Sequence, residues 1–371
     1  MRLAIQQRAL PHFRAPLYDA LAERHDGPVE VFTGHAESDE GIVEARQLDV
    51  AIWRKTENYC FSLGGHRFYW QQGLNDWIKQ FQPDVLVAES NPRLLSNYIG
   101  LRLARNLGIP VFGWGIGVMG NPTNKGVYRL FMRQYFRQFN SMIVYSRKGA
   151  SDLIQLGVNS ERIFIAPNSV SHVEAVRLQS EKDNGKQRVR DWKDHLGLGS
   201  LPVLIFVGRL IPEKKVDILI RAVSQLKTPC ELLVVGDGPM REELEGLSST
   251  LPKKTYFLGH LEGRNLALSI AASDLFVMPG TGGLAVQEAM AFGTPVIVGS
   301  SDGTQWDLVE DGVTGYHLRT GTLEELHDIL VKCLENTDAL VEMGKAARER
   351  IEKSHNIDIV VNEVLAAIHR L

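Results

Sequence analysis

The sequence predicts an α/β protein built from two doubly wound domains, each a parallel sheet buried by crossover helices. Three observations carry that prediction. Its 371 residues exceed the roughly 100 to 200 of a single domain. Short runs rich in Val, Ile and Phe alternate with longer helical patterns, the rhythm of parallel strands joined by helices. A polar stretch over residues 171 to 201 breaks the rhythm, which then restarts.

The first domain has strand patterns at Leu3 to Gln7, Val29 to Thr33, Asp84 to Ala88, Pro110 to Trp114, Met142 to Ser146 and Ile163 to Pro167, with intervening segments long enough for helices. The break contains Glu-Lys-Asp-Asn-Gly-Lys and little that is apolar, so it reads as an interdomain connection with a surface helix. The second domain restarts with Val203 to Val207, Leu232 to Val235, Tyr256 to Leu258, Leu275 to Met278 and Val296 to Val298. From about residue 322 only helical patterns remain, at Leu323 to Leu334, Ala339 to Ser354 and Ile357 to Leu371. The expected domains are therefore 1–175 and 176–355, with a terminal helix over 356–371 crossing back to the first. No internal repeat is visible. Doubly wound sheets hold ligands at the carboxyl ends of their strands, so a cleft between the domains is the expected active site.

Composition narrows the function. Hydrophobic residues make up 44% and charged ones 23%, the proportions of a folded globular chain rather than of a disordered or fibrous one. Lys plus Arg number 41 against 44 for Asp plus Glu, a net charge of −3, which argues against a dedicated nucleic-acid binder with a strongly basic domain. Cys60, Cys230 and Cys333 are far apart, with no CxxC and no His at zinc-type spacing, so they read as reduced thiols and no metal is expected. The strand pattern starting at Leu3 leaves no room for a signal peptide, and no apolar run approaches the ~18 residues of a spanning helix. The expected location is the cytoplasm.

Four segments have the residue types of a binding site. Gly115-Ile-Gly117-Val-Met-Gly120 matches the dinucleotide fingerprint in spelling alone. It does not follow the first strand, Asn121-Pro122 interrupts any helix start, and the next acidic residue is Asp152, so it reads as a cleft loop rather than a nicotinamide or flavin site. In Phe206-Val-Gly-Arg-Leu-Ile-Pro-Glu-Lys214 a buried strand ends at Gly208, and Arg209 and Lys214 follow. The pair suits a diphosphate; a solvated basic turn paired to Glu213 is the alternative. Val234-Val-Gly236-Asp-Gly238-Pro239 is a tight turn into a helix with Pro239 at its first position and Glu242 and Glu243 in its first turn. Those residues equally serve a cap, and the glycines matter functionally only where a ligand approaches the backbone. Finally, Gly282 and Gly283 precede a helix carrying Glu288. Free backbone N–H groups there can meet a phosphate, and a carboxylate in a helix of small apolar residues usually has a hydrogen-bonding task.

These motifs in this order resemble the retaining GT-B glycosyltransferases of the family-four, group 1 type. The resemblance rests on Gly208-Arg-Leu with Lys214, Val-Val-Gly-Asp-Gly-Pro239, Gly283-Leu with Glu288-Ala-Met-Ala-Phe-Gly-Thr-Pro-Val-Ile297, and Val309-Glu-Asp-Gly-Val-Thr-Gly315. It runs through about residues 203 to 335, with Pro167-Asn168 resembling the end of the N-terminal domain. The resemblance implies two Rossmann-like domains facing a cleft, C-terminal helices packed back on the N-terminal domain, and a metal-independent hexosyltransferase of glycan biosynthesis. The donor would be a UDP- or GDP-sugar with no cofactor, and the acceptor a glycan, a lipid-linked glycan or a small molecule. Arg209 and Lys214 would be catalytic, stabilising the departing diphosphate. Gly208, Gly236, Gly238, Pro239, Gly259, Gly283, Leu284, Ala285 and Glu288 would bind the donor, Glu288 at its ribose and the Gly259 loop beside its base. The family's first Glu, eight residues before the ribose-binding one, is Gly280 here, and the N-terminal loops also depart from the usual pattern. On the acceptor side His12, Arg14 and Trp114 are candidates by position, and for His12 an ordinary loop histidine is an equal reading. A non-hydrolysing sugar-nucleotide epimerase and a non-catalytic sugar-nucleotide-binding subunit are the alternatives.

A basic segment stands apart. Between Glu89 and Asp152 there is no acidic residue, while Arg93, Arg102, Arg105, Lys125, Arg129, Arg133, Arg137, Arg147 and Lys148 occur. Arg129, Arg133 and Arg137 repeat along one helical stripe, with Tyr128, Phe131, Tyr135, Phe136 and Phe139 interleaved. Either the aromatics face the core and the arginines face water, or the helix lies against an anionic membrane surface at the inner face or against an acidic acceptor or partner. As evidence for nucleic acid the stripe is weak.

Overall fold

The computed structural model describes residues 1–118, 126–252, 254–299 and 303–370. The chain forms two compact units, one of Met1–Ser171 with the tail from Ile357, the other of His172–Asn356.

The first unit contains, in chain order, β1 (Leu3–Ala9), α1 (Ala15–Arg24), β2 (Val29–Gly34), β3 (Ile52–Lys55), β4 (Asn58–Leu63), β5 (His66–Gln71), α2 (Leu74–Phe81), β6 (Val85–Glu89), α3 (Ser96–Asn106), β7 (Val111–Gly115), α4 (Val127–Phe136), β8 (Ser141–Val144), α5 (Arg147–Gln155) and β9 (Ile163–Ile165). Seven strands pair in parallel in the order β3-β2-β1-β6-β7-β8-β9. Alternation along each strand divides the core between the two faces of the sheet. Leu3 and Ile5 pack with Leu17, Tyr18 and Leu21 of α1, whereas Ala4 joins Trp77, Ile78, Leu101 and Phe136 on the opposite face. β4 and β5 form a separate antiparallel hairpin, closed by Gly64 and Gly65, both at positive φ. A two-residue turn left-handed at both positions matches the twist of the strands it joins.

The second unit contains α6 (Val173–Ser180), α7 (Asp183–Leu196), β10 (Val203–Val207), α8 (Val216–Gln225), β11 (Glu231–Val235), α9 (Arg241–Ser249), β12 (Thr255–Gly259), α10 (Gly263–Ala271), β13 (Leu275–Met278), α11 (Ala285–Phe292), β14 (Val296–Val298), α12 (Thr304–Leu308), β15 (Gly315–His317), α13 (Leu323–Leu334) and α14 (Thr337–Ser354). Its sheet runs β12-β11-β10-β13-β14-β15, all parallel. The last helix, α15 (Ile357–Ile368), belongs to the first unit. Its Val360, Val361, Val364, Ala367 and Ile368 are buried in the cluster that holds α1.

The structure departs from the sequence reading in four places. The polar stretch after residue 171 is two helices of the second unit, and the division falls at Ser171/His172 rather than 175/176. Strands β3, β4, β5 and β15 had no expected counterpart. α9 begins at Arg241, so Pro239 lies in the turn before the helix instead of at its first position, while Glu242 and Glu243 do fall in the first turn. Arg137 caps the end of α4 rather than continuing its stripe.

Candidate functional site

In a doubly wound sheet the strand order reverses at one place, and the loops leaving the two strands there diverge to opposite faces, opening a crevice at their carboxyl ends. In the second unit that place lies between β10 and β13. The loop leaving β10 carries Gly208, Arg209 and the turn Pro212–Lys214; the loop leaving β13 carries Pro279 to Leu284 and feeds α11. The two loops are joined by backbone and side chain. Thr281 N–H donates to the Glu213 carbonyl at 2.9 Å, and Lys214 Nζ donates to the Thr281 carbonyl at 2.6 Å. Gly280 makes this approach feasible, because a Cβ there would lie 2.0 Å from the Glu213 oxygen. Arg209 is exposed, and Gly283 has open space where a side chain would stand.

Beyond this pair, the turn after β11 closes on the same loop. Gly208 N–H donates to the Val235 carbonyl, Leu210 N–H to the Asp237 carbonyl, and Gly236 N–H to the Gly259 carbonyl at 2.7 Å. A Cβ on Gly236 would sit 1.9 Å from the Gly208 oxygen, and one on Gly238 2.5 Å from the Leu210 oxygen. A neighbouring backbone thus already accounts for these two glycines. Glu288 lies in the first turn of α11, half-buried, and burial pushes its carboxyl up to about 7. A group poised near neutrality at a helix start can accept from hydroxyls when ionised and donate when protonated.

The first unit reverses its strand order between β1 and β6. A cavity of about 320 Å³ opens there, lined by the ends of β1 (Gln7, Arg8, Ala9), β6 (Glu89, Ser90) and β7 (Trp114, Gly115), together with Arg14, Tyr18 and Tyr145. Arg14 is 8% exposed. It donates through NH2 to Tyr145 Oη at 2.8 Å, and its guanidinium lies over the Tyr145 and Trp114 rings at 5.1 and 5.7 Å. Arg8 pairs with Glu40 at 2.8 Å, while Glu89 accepts from Arg8 N–H and from Asn91 Nδ2.

Comparison with known proteins places this architecture. The family model for glycosyl transferases group 1 matches residues 188–350, and that for the glycosyl transferase 4-like domain matches residues 14–169. The chain belongs to the group 1 glycosyltransferase family. It is 30% identical over 290 residues to the sulfoquinovosyl transferase SQD2 of Arabidopsis thaliana, a match covering 74% of this chain and 54% of that protein. It is 32% identical over 245 residues to a GDP-mannose-dependent alpha-mannosyltransferase of Mycolicibacterium smegmatis, covering 64% of this chain and 61% of that one. It thus spans little more than half the length of these two curated relatives. Among solved structures, Anabaena Alr3699/HepE in complex with UDP superposes with a TM-score of 0.80 at 18% identity over the whole of both chains. WaaG, a glycosyltransferase involved in lipopolysaccharide biosynthesis, does so with 0.66 at 18% identity over 98% of each. The fold is GT-B.

Within this member of the family the expected site residues separate into sets. Gly208, Arg209, Lys214, Gly236, Gly238, Pro239, Gly259, Gly283, Leu284, Ala285 and Glu288 all lie in loops, helix starts or, for Gly259, a strand end at the carboxyl end of the second sheet. Arg14 and Trp114 meet in the first-unit cavity; His12 is outside its lining, exposed, with Nδ1 3.1 Å from the Val43 carbonyl. Gly115 belongs to that lining, whereas Met119, Gly120 and Lys125 lie outside the described residues. α4 divides its apolar residues. Tyr135 and Phe136, like Phe139 beyond it, are core, but Val127, Tyr128, Leu130 and Phe131 are exposed together with Arg129, Arg133 and Arg137. Sequence reasoning missed Gln7, Ser90 and Tyr145. The signal for Gln7 was present, since two adjacent glutamines inside an otherwise apolar buried strand need hydrogen-bonding work. Among the described residues no group of three His, Cys, Asp or Glu could hold a metal, and no helix is long and apolar enough to cross a membrane.

Proposed function

We propose that this protein transfers a sugar, with retention at the anomeric carbon, from a nucleotide-diphosphate sugar to a hydroxyl of a glycan or lipid-linked acceptor. The observation that carries the reading is the joining of the Arg209–Lys214 turn to the glycine loop before α11, at the strand-order reversal of the second sheet. Arg209, Lys214 and the N–H groups around Leu284 and Ala285 hold the diphosphate. As the bond from anomeric carbon to diphosphate oxygen breaks, they stabilise the charge left on the leaving group. The acceptor oxygen bonds to the same carbon, and its proton leaves to the diphosphate or to water. Glu288 accepts from the ribose hydroxyls, and the Gly236–Pro239 turn and the Gly259 loop flank the nucleoside. No metal is needed for leaving-group stabilisation by this cationic pair. Relatives named for GDP-mannose and for sulfoquinovosyl transfer, and a neighbour named as a UDP complex, support a nucleotide-sugar donor.

The acceptor is assigned to the first unit, around Arg14 and Trp114. The exposed apolar and basic face of α4 supports a working position on an anionic membrane surface on the cytoplasmic side. Incubation with UDP- and GDP-sugars and a mixed acceptor panel tests the reading. Acceptor-stimulated release of nucleoside diphosphate is expected, abolished by Arg209→Ala and weakened by Glu288→Ala, and the anomeric configuration of the product is read by NMR. An isomerised donor, or nucleotide binding without turnover, overturns it in favour of an epimerase or a binding subunit.

A further inference from the structure

The first-unit cavity has an unusual polar inventory. Gln7, Arg14, Ser90 and Trp114 all line it, and they are 9%, 8%, 5% and 1% exposed. Each carries a polar atom with no partner among the described residues: Gln7 Nε2, Arg14 NH1, Ser90 Oγ and Trp114 Nε1. Three of these atoms can only donate, and the serine hydroxyl can donate. Buried donors left unpaired cost free energy, and an unpaired buried cation costs more. Among the described residues no carboxylate forms an ion pair with Arg14. Arg8 is occupied by Glu40, and Glu89, the acidic residue of the lining, accepts from Arg8 N–H and Asn91 Nδ2 and acts on Arg14 only through space, without an ion pair. Tyr145 and Tyr18, which also face Arg14, offer phenolic hydroxyls rather than a carboxylate. A water molecule satisfies a donor but cannot balance the guanidinium. What matches four donors, one of them a charged fork, is a compact group with several acceptor oxygens and a negative charge.

We infer that this cavity seats an oxyanion on the acceptor itself: a sugar ring or polyol bearing a carboxylate or phosphate, its anion on Arg14, Trp114, Ser90 and Gln7. A volume of about 320 Å³ is at the small end of ligand pockets, the size class of one substituted sugar ring rather than of a chain. Glu89, with its carboxylate at the other strand of the reversal, is placed to accept from a ring hydroxyl. The inference rests on the proposed transferase reading for the word acceptor, but the binding chemistry stands on the cavity alone.

The test uses the full chain and separates the two. The indole N–H resonance of Trp114, assigned by its loss in Trp114→Phe, is followed by NMR while glucuronate, glucose 6-phosphate, inorganic phosphate or glucose is added. Both sugar anions are expected to shift it and to bind about tenfold or more tighter than glucose, and Arg14→Gln is expected to abolish that preference while leaving UDP or GDP titration unchanged. Equal binding of glucose, a response to inorganic phosphate but to neither sugar anion, or a preference that survives Arg14→Gln each overturns the inference. If Arg14→Gln does not fold, Ser90→Ala and Trp114→Phe replace it, each expected to lower sugar-anion affinity several-fold and glucose affinity not at all; unchanged anion affinity in both overturns the inference. Failure of every nucleotide to bind would instead overturn the transferase reading, with the anion titration still deciding this one.

Discussion

Gly280 and Glu213 touch through their backbones: a Cβ on Gly280 would stand 2.0 Å from the Glu213 carbonyl oxygen. The position at which the family resemblance implies a glutamate is therefore closed to any side chain unless the loop withdraws. In the proposed reaction, donor contact here would fall to the backbone and to the neighbouring Lys214.

Gly280→Ala should accordingly lower stability by about 1–3 kcal/mol, the usual penalty for forcing atoms into a filled space, and should weaken nucleotide binding by displacing Thr281 from Glu213 and Lys214. Denaturant unfolding with a parallel calorimetric titration reads both. A Gly280→Glu variant that gained donor affinity would show that the loop has a second arrangement.

Lys214→Met removes the ammonium and its bond to Thr281. Leaving-group stabilisation by one preorganised donor is worth roughly 10²- to 10³-fold in rate, so kcat/KM should fall by about that factor, mostly in kcat. Lys214→Arg should recover part of the charge but not the 2.6 Å contact geometry. Steady-state rates with equal attention to unfolding temperature separate the chemical loss from a loosened loop.

Glu288 gives a pH dependence of defined sign. Its carboxyl is raised from 4.5 to about 7, so the folded protein holds this proton more tightly than the unfolded chain. Its contribution favours folding at low pH and is lost as pH rises from about 4.5 through about 7. In the proposed complex, ribose hydroxyls donating to the carboxylate would reverse the preference. Nucleotide affinity should then be about tenfold weaker at pH 6 than at pH 8, and Glu288→Gln should flatten the profile. Titrations in two buffers of different ionisation enthalpy would register the proton released.

The exposed face of α4 makes a separate prediction. Each basic residue close to an anionic surface adds about 1 kcal/mol, so replacing Arg129, Arg133 and Arg137 by Gln should reduce affinity for vesicles rich in anionic lipid by up to about 100-fold. Leu130→Ser should weaken it further through lost apolar contact. Co-sedimentation at low and high salt checks this; binding by the wild type to neutral vesicles alone would assign the face to apolar contact.

Much of this architecture was legible because buried parallel strands are nearly continuous apolar runs: Val203–Val207 and Leu275–Met278 have the observed bounds. What escaped has physical reasons. β3, Ile52–Lys55, is mostly exposed and carries Arg54 and Lys55, so it lacks an apolar run. β15 is three residues long and makes sense only beside β14. The β4–β5 hairpin was readable, since Gly64-Gly65 between two aromatic strands is a turn signal. At the loops leaving β10, β11 and β13 the sequence marked the residues but not their packing. Gly236 reads equally as a turn glycine or as one approached by a ligand, and its Cβ position is taken by the Gly208 carbonyl. The meeting of Arg14 and Trp114 joins residues a hundred positions apart through a sheet order no local pattern encodes.

The tail offers the last prediction. Val360, Val361 and Val364 of α15 are at most 1% exposed and pack in the cluster containing Leu17 and Leu21 of α1. Each buried valine contributes about 1.5–3 kcal/mol, whereas the Arg24–Asp358 ion pair on the same helix pair is exposed and worth at most about 1 kcal/mol. Val364→Ala should therefore destabilise the first unit by roughly 1–2 kcal/mol, a fraction of a full side chain's burial, and Arg24→Gln should leave it nearly unchanged. The loops proposed to hold the nucleotide belong to the second unit, so nucleotide titration by Val364→Ala should equal that of the wild type even as catalysis and unfolding midpoint fall. Hydrogen exchange resolves the two units directly: faster exchange confined to β1, β2 and α1 is the expected pattern, and equal acceleration in β10 and β13 would mean that the tail supports both sheets.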